Sequence, residues 1–286
     1  MKKIIIILPL FNDWKSINRL LKNINTSFQK RRFFIHIIII NDNSIEKLSL
    51  RKKKLNNIQK IEVFNLRRNI GSQNAIYVGL KKVHKKESKG TIVVMDSDGE
   101  DDYSKLKILV RKAQLNPNSV VFAKRTKRQE VLILRILNQI RILFTYFLTG
   151  KYINIGNFSA FESKNLKKIL INQNLSVAYC SGILKNLKNI VYYGVEKKKR
   201  YFGTSKVNTL FIIKHSINII AVFYREVFIR SSVLTLICLS IFQSLKFNYA
   251  IFYLYLLINL IFLLSYLHNT KKNFNIGTIR NIQKIK

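Results

Sequence analysis

Ile4–Leu8 is an unbroken run of apolar, mostly β-branched residues, and Ile35–Ile40 repeats the pattern save for His36. Few folds are open to a chain carrying such runs. A strand that is apolar at successive positions, rather than at alternate ones, must be covered on both faces, as a central strand of a parallel sheet is. The first run stops at Pro9 and the second in Asn41-Asp42-Asn43-Ser44. Lys60–Phe64, Thr91–Met95 and Val120–Ala123 are three further strand candidates. Between them Trp14–Phe28, Ser72–His84 and Tyr103–Leu115 repeat apolar residues at helical spacing. This alternation predicts an α/β fold with an open, mostly parallel sheet flanked by helices. Such sheets bind ligands just beyond the carboxyl ends of their strands. Those ends carry Phe11-Asn12-Asp13, Asn41–Ser44, Arg67–Gly71 and Asp96–Asp102, so the polar residues gather where a site belongs.

The formal net charge of +37 asks for an anionic partner, but the basic residues are spread along the whole chain. The acids say more. There are only 14 in 286 residues, and five of them lie within Asp96–Asp102. Cys180 and Cys238 make no CxxC pair and the four histidines are scattered, which excludes a thiolate zinc site or an HExxH motif. Ile4–Leu8 is too short for a signal peptide core and is expected as the first strand. No nucleic-acid-binding motif is present, so no nucleic-acid partner is expected.

The C-terminal third changes character. Val131–Leu148 is an amphipathic helix, either buried or on a membrane surface, and Val207–Ile229 resembles it. Ser231–Leu245 and Tyr249–Leu267 are apolar, separated by Lys246-Phe247-Asn248, and a bilayer span takes about 20 apolar residues. The expected arrangement is a transmembrane helical hairpin. Lysines and arginines on its flanks outnumber the single Lys246 in its turn, which puts both termini and the catalytic domain on the cytoplasmic side of the cell (inner) membrane. The divisions expected are a catalytic domain over 1–206, a juxtamembrane segment over 207–229, a two-helix hairpin over 230–268 and a basic cytoplasmic tail over 269–286.

Asp96-Ser97-Asp98 follows a buried strand, and Gly99 allows a sharp turn before Glu100-Asp101-Asp102. In a loop, two carboxylates one residue apart can approach one hard divalent ion, which prefers oxygen ligands and is commonly shared with substrate phosphates. Such an ion neutralises a diphosphate leaving group. The segment lacks the Gly and Glu positions of an EF-hand.

With these residues in place, the chain resembles a family 2 glycosyltransferase of the GT-A (nucleotide-diphospho-sugar transferase) fold. It is most similar to the branch of dolichol-phosphate-mannose synthases and bacterial polyprenyl-phosphate glycosyltransferases. The resemblance runs through about Met1–Asn208 and on to the hairpin. Pro9-Leu10-Phe11-Asn12-Asp13 resembles the opening P-V-Y-N-E, and Asn41-Asp42-Asn43-Ser44 the D-D-G-S turn. Arg68-Asn69-Ile70-Gly71 resembles R-N-x-G, and Asp96-Ser97-Asp98-Gly99-Glu100-Asp101 the D-A-D-L-Q-D metal motif. Lys124-Arg125 matches a basic pair, and Arg200-Tyr201-Phe202-Gly203-Thr204-Ser205-Lys206 matches R-x-x-G-x-S-K.

The resemblance implies Mg2+ or Mn2+ at Asp96, Asp98 and Glu100. It implies a nucleotide-sugar site formed by Pro9, Phe11, Asp13, Asp42, Asn69, Gly71, Asp96 and Arg125. Asp98, Arg200 and Lys206 are then the catalytic set, the last two facing phosphates. Where relatives carry acids, Asn154-Ile155-Gly156-Asn157 offers amides, which cannot accept a proton from a hydroxyl acceptor. That suits an acceptor already ionised, and suits a degenerate enzyme equally. The expectation is inverting transfer of a sugar to a polyprenyl phosphate or another lipid-linked acceptor at a lipid bilayer, with an oligomer compatible. The alternatives are transfer to a hydroxyl of a surface glycan or lipid-linked oligosaccharide, or a non-catalytic membrane protein binding an anionic partner.

Overall fold

The computed structural model describes residues 2–28, 33–46, 49–50, 55–86, 88–126, 132–203, 209–241, 248–271 and 276–286. In chain order the elements are β1 (Lys2–Leu10), α1 (Trp14–Ser27), β2 (Phe33–Asn41), β3 (Lys60–Leu66), α2 (Ser72–Lys85) and β4 (Thr91–Val94). There follow α3 (Leu106–Leu115), β5 (Val120–Arg125), α4 (Leu132–Thr149), β6 (Ile155–Glu162), α5 (Leu166–Ile169), α6 (Asn174–Val177) and α7 (Tyr179–Asn186). Last come β7 (Ile190–Val195), α8 (Thr209–Ala221), α9 (Tyr224–Ile241), α10 (Asn248–Lys271) and β8 (Ile279–Lys284).

One sheet runs in the order β7-β5-β6-β4-β1-β2-β3-β8. The pairs β1–β2, β1–β4, β2–β3 and β5–β7 are parallel, while β6 lies antiparallel between β4 and β5, and β8 antiparallel to β3. The isoleucine runs are explained by what covers them. Ile5 and Ile7 of β1 point into one core with α2 and α7, while Ile4, Ile6 and Leu8 point into the other with α1 and α3. A buried side chain of this kind stabilises the fold by about 1.5–3 kcal/mol, so each position of the run contributes and none is free to be polar. His36 is the exception; it sits buried within β2 with its Nε2 2.7 Å from Glu62.

The five expected strands and three expected helices occur within a few residues of their predicted limits, and the fold is the GT-A-like α/β architecture expected. Three differences concern the C-terminal third. The expected single segment over 207–229 is broken near Val222-Phe223 into α8 and the start of α9. The 269–286 stretch is not a free tail, because β8 pairs with β3 from Glu62↔Lys284 to Leu66↔Ile279. It pairs on one side only and none of its residues is fully buried, which marks it as an edge strand. Among the described residues only Tyr249–Lys271 is long and apolar enough to cross a membrane, with a mean hydropathy of 2.2. Helix α9 packs beside α10 through Ser231 with Asn259 and Ser232 with Tyr255, but it carries Arg225, Glu226 and Arg230. The expected turn at 246–248 falls largely outside the described residues, as does Lys206.

Candidate functional site

The acidic loop begins where β4 ends, and backbone geometry forces the turn. Gly99 has φ +90°, and a Cβ there would stand 2.5 Å from the Tyr201 ring, so no other residue fits. Ser97, between the two aspartates, is buried and donates its hydroxyl to the Pro9 carbonyl at 2.7 Å. That bond pins the loop to the end of β1 and turns Asp96 and Asp98 away from the sheet. Pro9 therefore serves through its carbonyl. The Asp96 amide donates to Asp101 Oδ2 at 2.8 Å, and the Glu100 amide to Asp98 Oδ1 at 3.0 Å.

The loop holds more negative charge than its surroundings relieve. Burial first, and then neighbouring Asp96, push Asp98 up to about 6 and Asp101 up to about 8. Arg125 stands 3.8 Å from Asp101, with its guanidinium over Gly156. Asp96, Asp98 and Glu100 do not converge as a ready cage. Among the described residues no group of three His, Cys, Asp or Glu side chains is set to hold a metal, and Glu100 is drawn aside by Lys197 at 3.0 Å. Two carboxylates are nevertheless the protein share usual for a cation that keeps waters and substrate phosphates as its other ligands. Asp96 and Asp98 fit that role by chemistry and placement.

Arg200 comes to this loop from 100 residues further along the chain. Its Nη2 donates to Asp13 Oδ2 at 2.8 Å and its Nη1 lies 3.1 Å from Asp98 Oδ2, while its buried Nε has no partner among the described residues. The segment around it is strapped across the loop. The Tyr201 amide donates to the Asp98 carbonyl and the Lys198 amide to the Glu100 carbonyl, both at 2.9 Å. The Tyr201 hydroxyl accepts from Asn23 of α1 at 3.0 Å, and the Arg19 guanidinium lies 4.8 Å above the Tyr201 ring.

The remaining expected residues divide into two groups. Asp13 caps α1 through Ser16 and keeps its other oxygen for Arg200, and Phe11 is 39% exposed beyond β1. Asp42, expected at the nucleoside, is instead 3% exposed, with Oδ1 on the Ile70 amide and Oδ2 on the Gly71 amide, both at 2.8 Å. Through these bonds it braces the turn that carries Asn69. Within that turn Asn69 is exposed and accepts from Gly71, whose φ of +83° requires glycine. Sequence reasoning missed Gln73, and it singled out Asn157 only for lacking a charge. Asn157 Nδ2 donates to Asp96 Oδ1 at 3.0 Å, and Gln73 Nε2 donates to Asn157 Oδ1 at 3.2 Å. Neither carries a charge or a motif that would have announced the contact.

Residues 5–187 match the profile of Glycosyl transferase family 2. No curated protein matches the chain significantly. Among solved structures, glucosyl-3-phosphoglycerate synthase from Mycobacterium tuberculosis, in complex with Mn2+, UDP-glucose and phosphoglyceric acid, superposes with a TM-score of 0.54. It shares 13% identity over 79% of this chain and 80% of that one. Mannosyl-3-phosphoglycerate synthase from Rubrobacter xylanophilus gives 0.52 at 12% identity, over 78% and 73%. At such identities the likeness is one of fold.

Proposed function

The chain belongs to glycosyl transferase family 2, and from that premise we propose that it moves a sugar from a nucleotide-diphosphate donor onto a polyprenyl phosphate at a membrane surface. The observation that carries this reading is the Asp96–Asp98 pair at the carboxyl end of β4, with Asp98 raised in pKa by burial and by Asp96, and with Arg200 reaching across it. Asp96 and Asp98 would hold Mg2+ or Mn2+, which when bound neutralises the departing diphosphate. Asp13, beside the exposed Phe11, lies at the donor's end of the crevice. Arg200 is suited to phosphate because the Asp13 and Asp98 contacts leave its Nε–H buried and unanswered. Lys206, six residues on, would act with it.

The phosphate acceptor is supported by what lies beside Asp96. Asn157 is an amide and a donor there, so it cannot take a proton from a hydroxyl, and an ionised phosphate needs no base. Membrane attachment is supported by the apolar surface. Ile140, Leu143, Phe144 and Phe147 of α4 are 48–64% exposed, and α10 is exposed along its length. Because β7 and β8 close opposite edges of one sheet, the helices between them leave and rejoin the same rigid body. That geometry favours a two-pass anchor over a single crossing, with the sheet and both chain ends on the cytoplasmic side.

The test is a panel of nucleotide-sugars with the detergent-purified full chain and Mn2+, offered polyprenyl phosphate or polyprenol. Transfer to the phosphate alone, abolished by EDTA, is expected. Transfer to polyprenol or to a glycan hydroxyl at equal rate would overturn the acceptor, and full activity in EDTA would overturn the metal.

A further inference from the structure

A chain of three side-chain and backbone groups ends on Asp96. The Tyr179 amide, at the start of α7, donates to Gln73 Oε1 at 2.7 Å. Gln73, in the first turn of α2, donates through Nε2 to Asn157 Oδ1 at 3.2 Å, and Asn157 of β6 donates through Nδ2 to Asp96 Oδ1 at 3.0 Å. The direction of every bond in this chain is dictated. A backbone N–H only donates, so Gln73 must present its oxygen to Tyr179 and its NH2 to Asn157. Asn157 must then present its oxygen to Gln73 and its NH2 to Asp96. An ionised carboxylate only accepts, so the far end agrees with the near one. Turning either amide over would set like against like at two places.

We propose that Gln73 and Asn157 are positioning residues for the metal loop, fixing the Asp96 carboxylate so that one oxygen is held by the protein and the other is left for the cation. This rests on the metal role given above to Asp96. The backbone supports the assignment, since the Asp96 amide is independently tied to Asp101 and Ser97 to Pro9. Asp96 is thus restrained through its main chain and through one oxygen, and Oδ2 alone lacks a protein partner among the hydrogen bonds and ion pairs of the described residues. The amide at 157 is also the right chemical type. Five acids already lie within Asp96–Asp102. An aspartate at 157 would add a further negative charge against Asp96, whereas asparagine supplies similar reach with a donor. Asn157 is accordingly a working part of the site and not a sign of decay.

Mn2+ alone, titrated calorimetrically into the detergent-purified full chain, tests the assignment. Gln73→Glu can still accept from Tyr179 but cannot donate to Asn157, whose amide then turns its oxygen toward Asp96. A loss of about 10-fold in Mn2+ affinity is expected, in the range typical for groups that orient metal ligands. Asn157→Ala, which removes the donor, should lose a similar amount. In both, transfer should return toward the wild-type rate at saturating Mn2+, a recovery that a general packing defect would not allow. Mn2+ affinity within twofold of wild type in both variants overturns the proposal. So does a rate that stays low at every Mn2+ concentration. Were the wild-type chain not to bind Mn2+, or Asp98→Asn to bind it as tightly, the metal reading itself would fall and this inference with it.

Discussion

Two groups of acids sit in the same sheet and are treated in opposite ways. Glu62 of β3 is 1% exposed, and three cations or donors answer it, namely His36 at 2.7 Å and Lys60 and Lys86 at 3.3 Å each. Burial alone would raise its pKa, but Lys86, His36 and Lys60 outweigh that and hold it below the usual range. The Asp96–Asp102 loop is the reverse. Its cations, Arg125, Lys197, Lys198 and Arg200, stand 3.0–3.8 Å away, yet Asp98 and Asp101 remain raised. A carboxylate that holds the fold together is neutralised by the side chains around it. In the loop proposed above to hold a cation, the carboxylates stay raised, a cost that such a cation would relieve.

That contrast predicts separable failures. Asp98→Asn should lower transfer by about 10²–10³-fold, the scale of losing one strong electrostatic group at a reacting centre, while the thermal midpoint changes little; steady-state rates beside a melting curve check it. Glu62→Gln should do the opposite. It should lose about 1–3 kcal/mol of stability, because buried partners are left unanswered, and keep its activity per folded molecule. A Glu62→Gln chain that melts like wild type would erase the distinction drawn here.

The smallest effect is in the pH dependence of stability, and it differs in sign between the two groups. Burial, the largest cause, holds His36 down to about 4 against an ordinary 6.5, so the unfolded chain takes up a proton first. Stability present above pH 6.5 is lost as pH falls toward 4. Asp98 and Asp101 have raised values, so without metal the folded chain binds protons that the unfolded one has released. Stability from them is present at low pH and is lost as pH rises through about 6 to 8. Each such proton is worth at most about 1.4 kcal/mol per pH unit. In EDTA, His36→Gln should flatten the acid limb of a melting-temperature profile and Asp101→Asn the alkaline limb. The same flattening from both would sink the assignment.

The parts legible in the sequence were those that announce themselves locally. β1 and β2 read as strands because nearly every position is apolar, and the acidic loop stood out because acids are scarce. β6, β7 and β8 did not, since β7 and β8 pair on one side only and show broken burial patterns, and β6 is reached only after the long helix α4. At the site, Arg200 was legible through its motif, but its partner Asp13 is 187 residues distant. The Gln73–Asn157 contact spans 84 residues between neutral amides, and Asp42 turned inward because two backbone amides claimed it. Long-range hydrogen bonding of this kind leaves no trace in spacing or composition.

The pairing of β8 with β3 fixes the order in which the molecule can be completed. Asn65 of β3 donates to Asn281 of β8 at 2.8 Å across 216 residues of sequence, nearly the longest span in the chain. During synthesis the outer rim of β3 is made early and stays open until α8, α9 and α10 have all emerged. An open strand rim is adhesive toward other chains. Emergence of the apolar helices and sealing of the sheet are therefore successive acts of one biogenesis. A delay in the first leaves nascent chains sticky for longer.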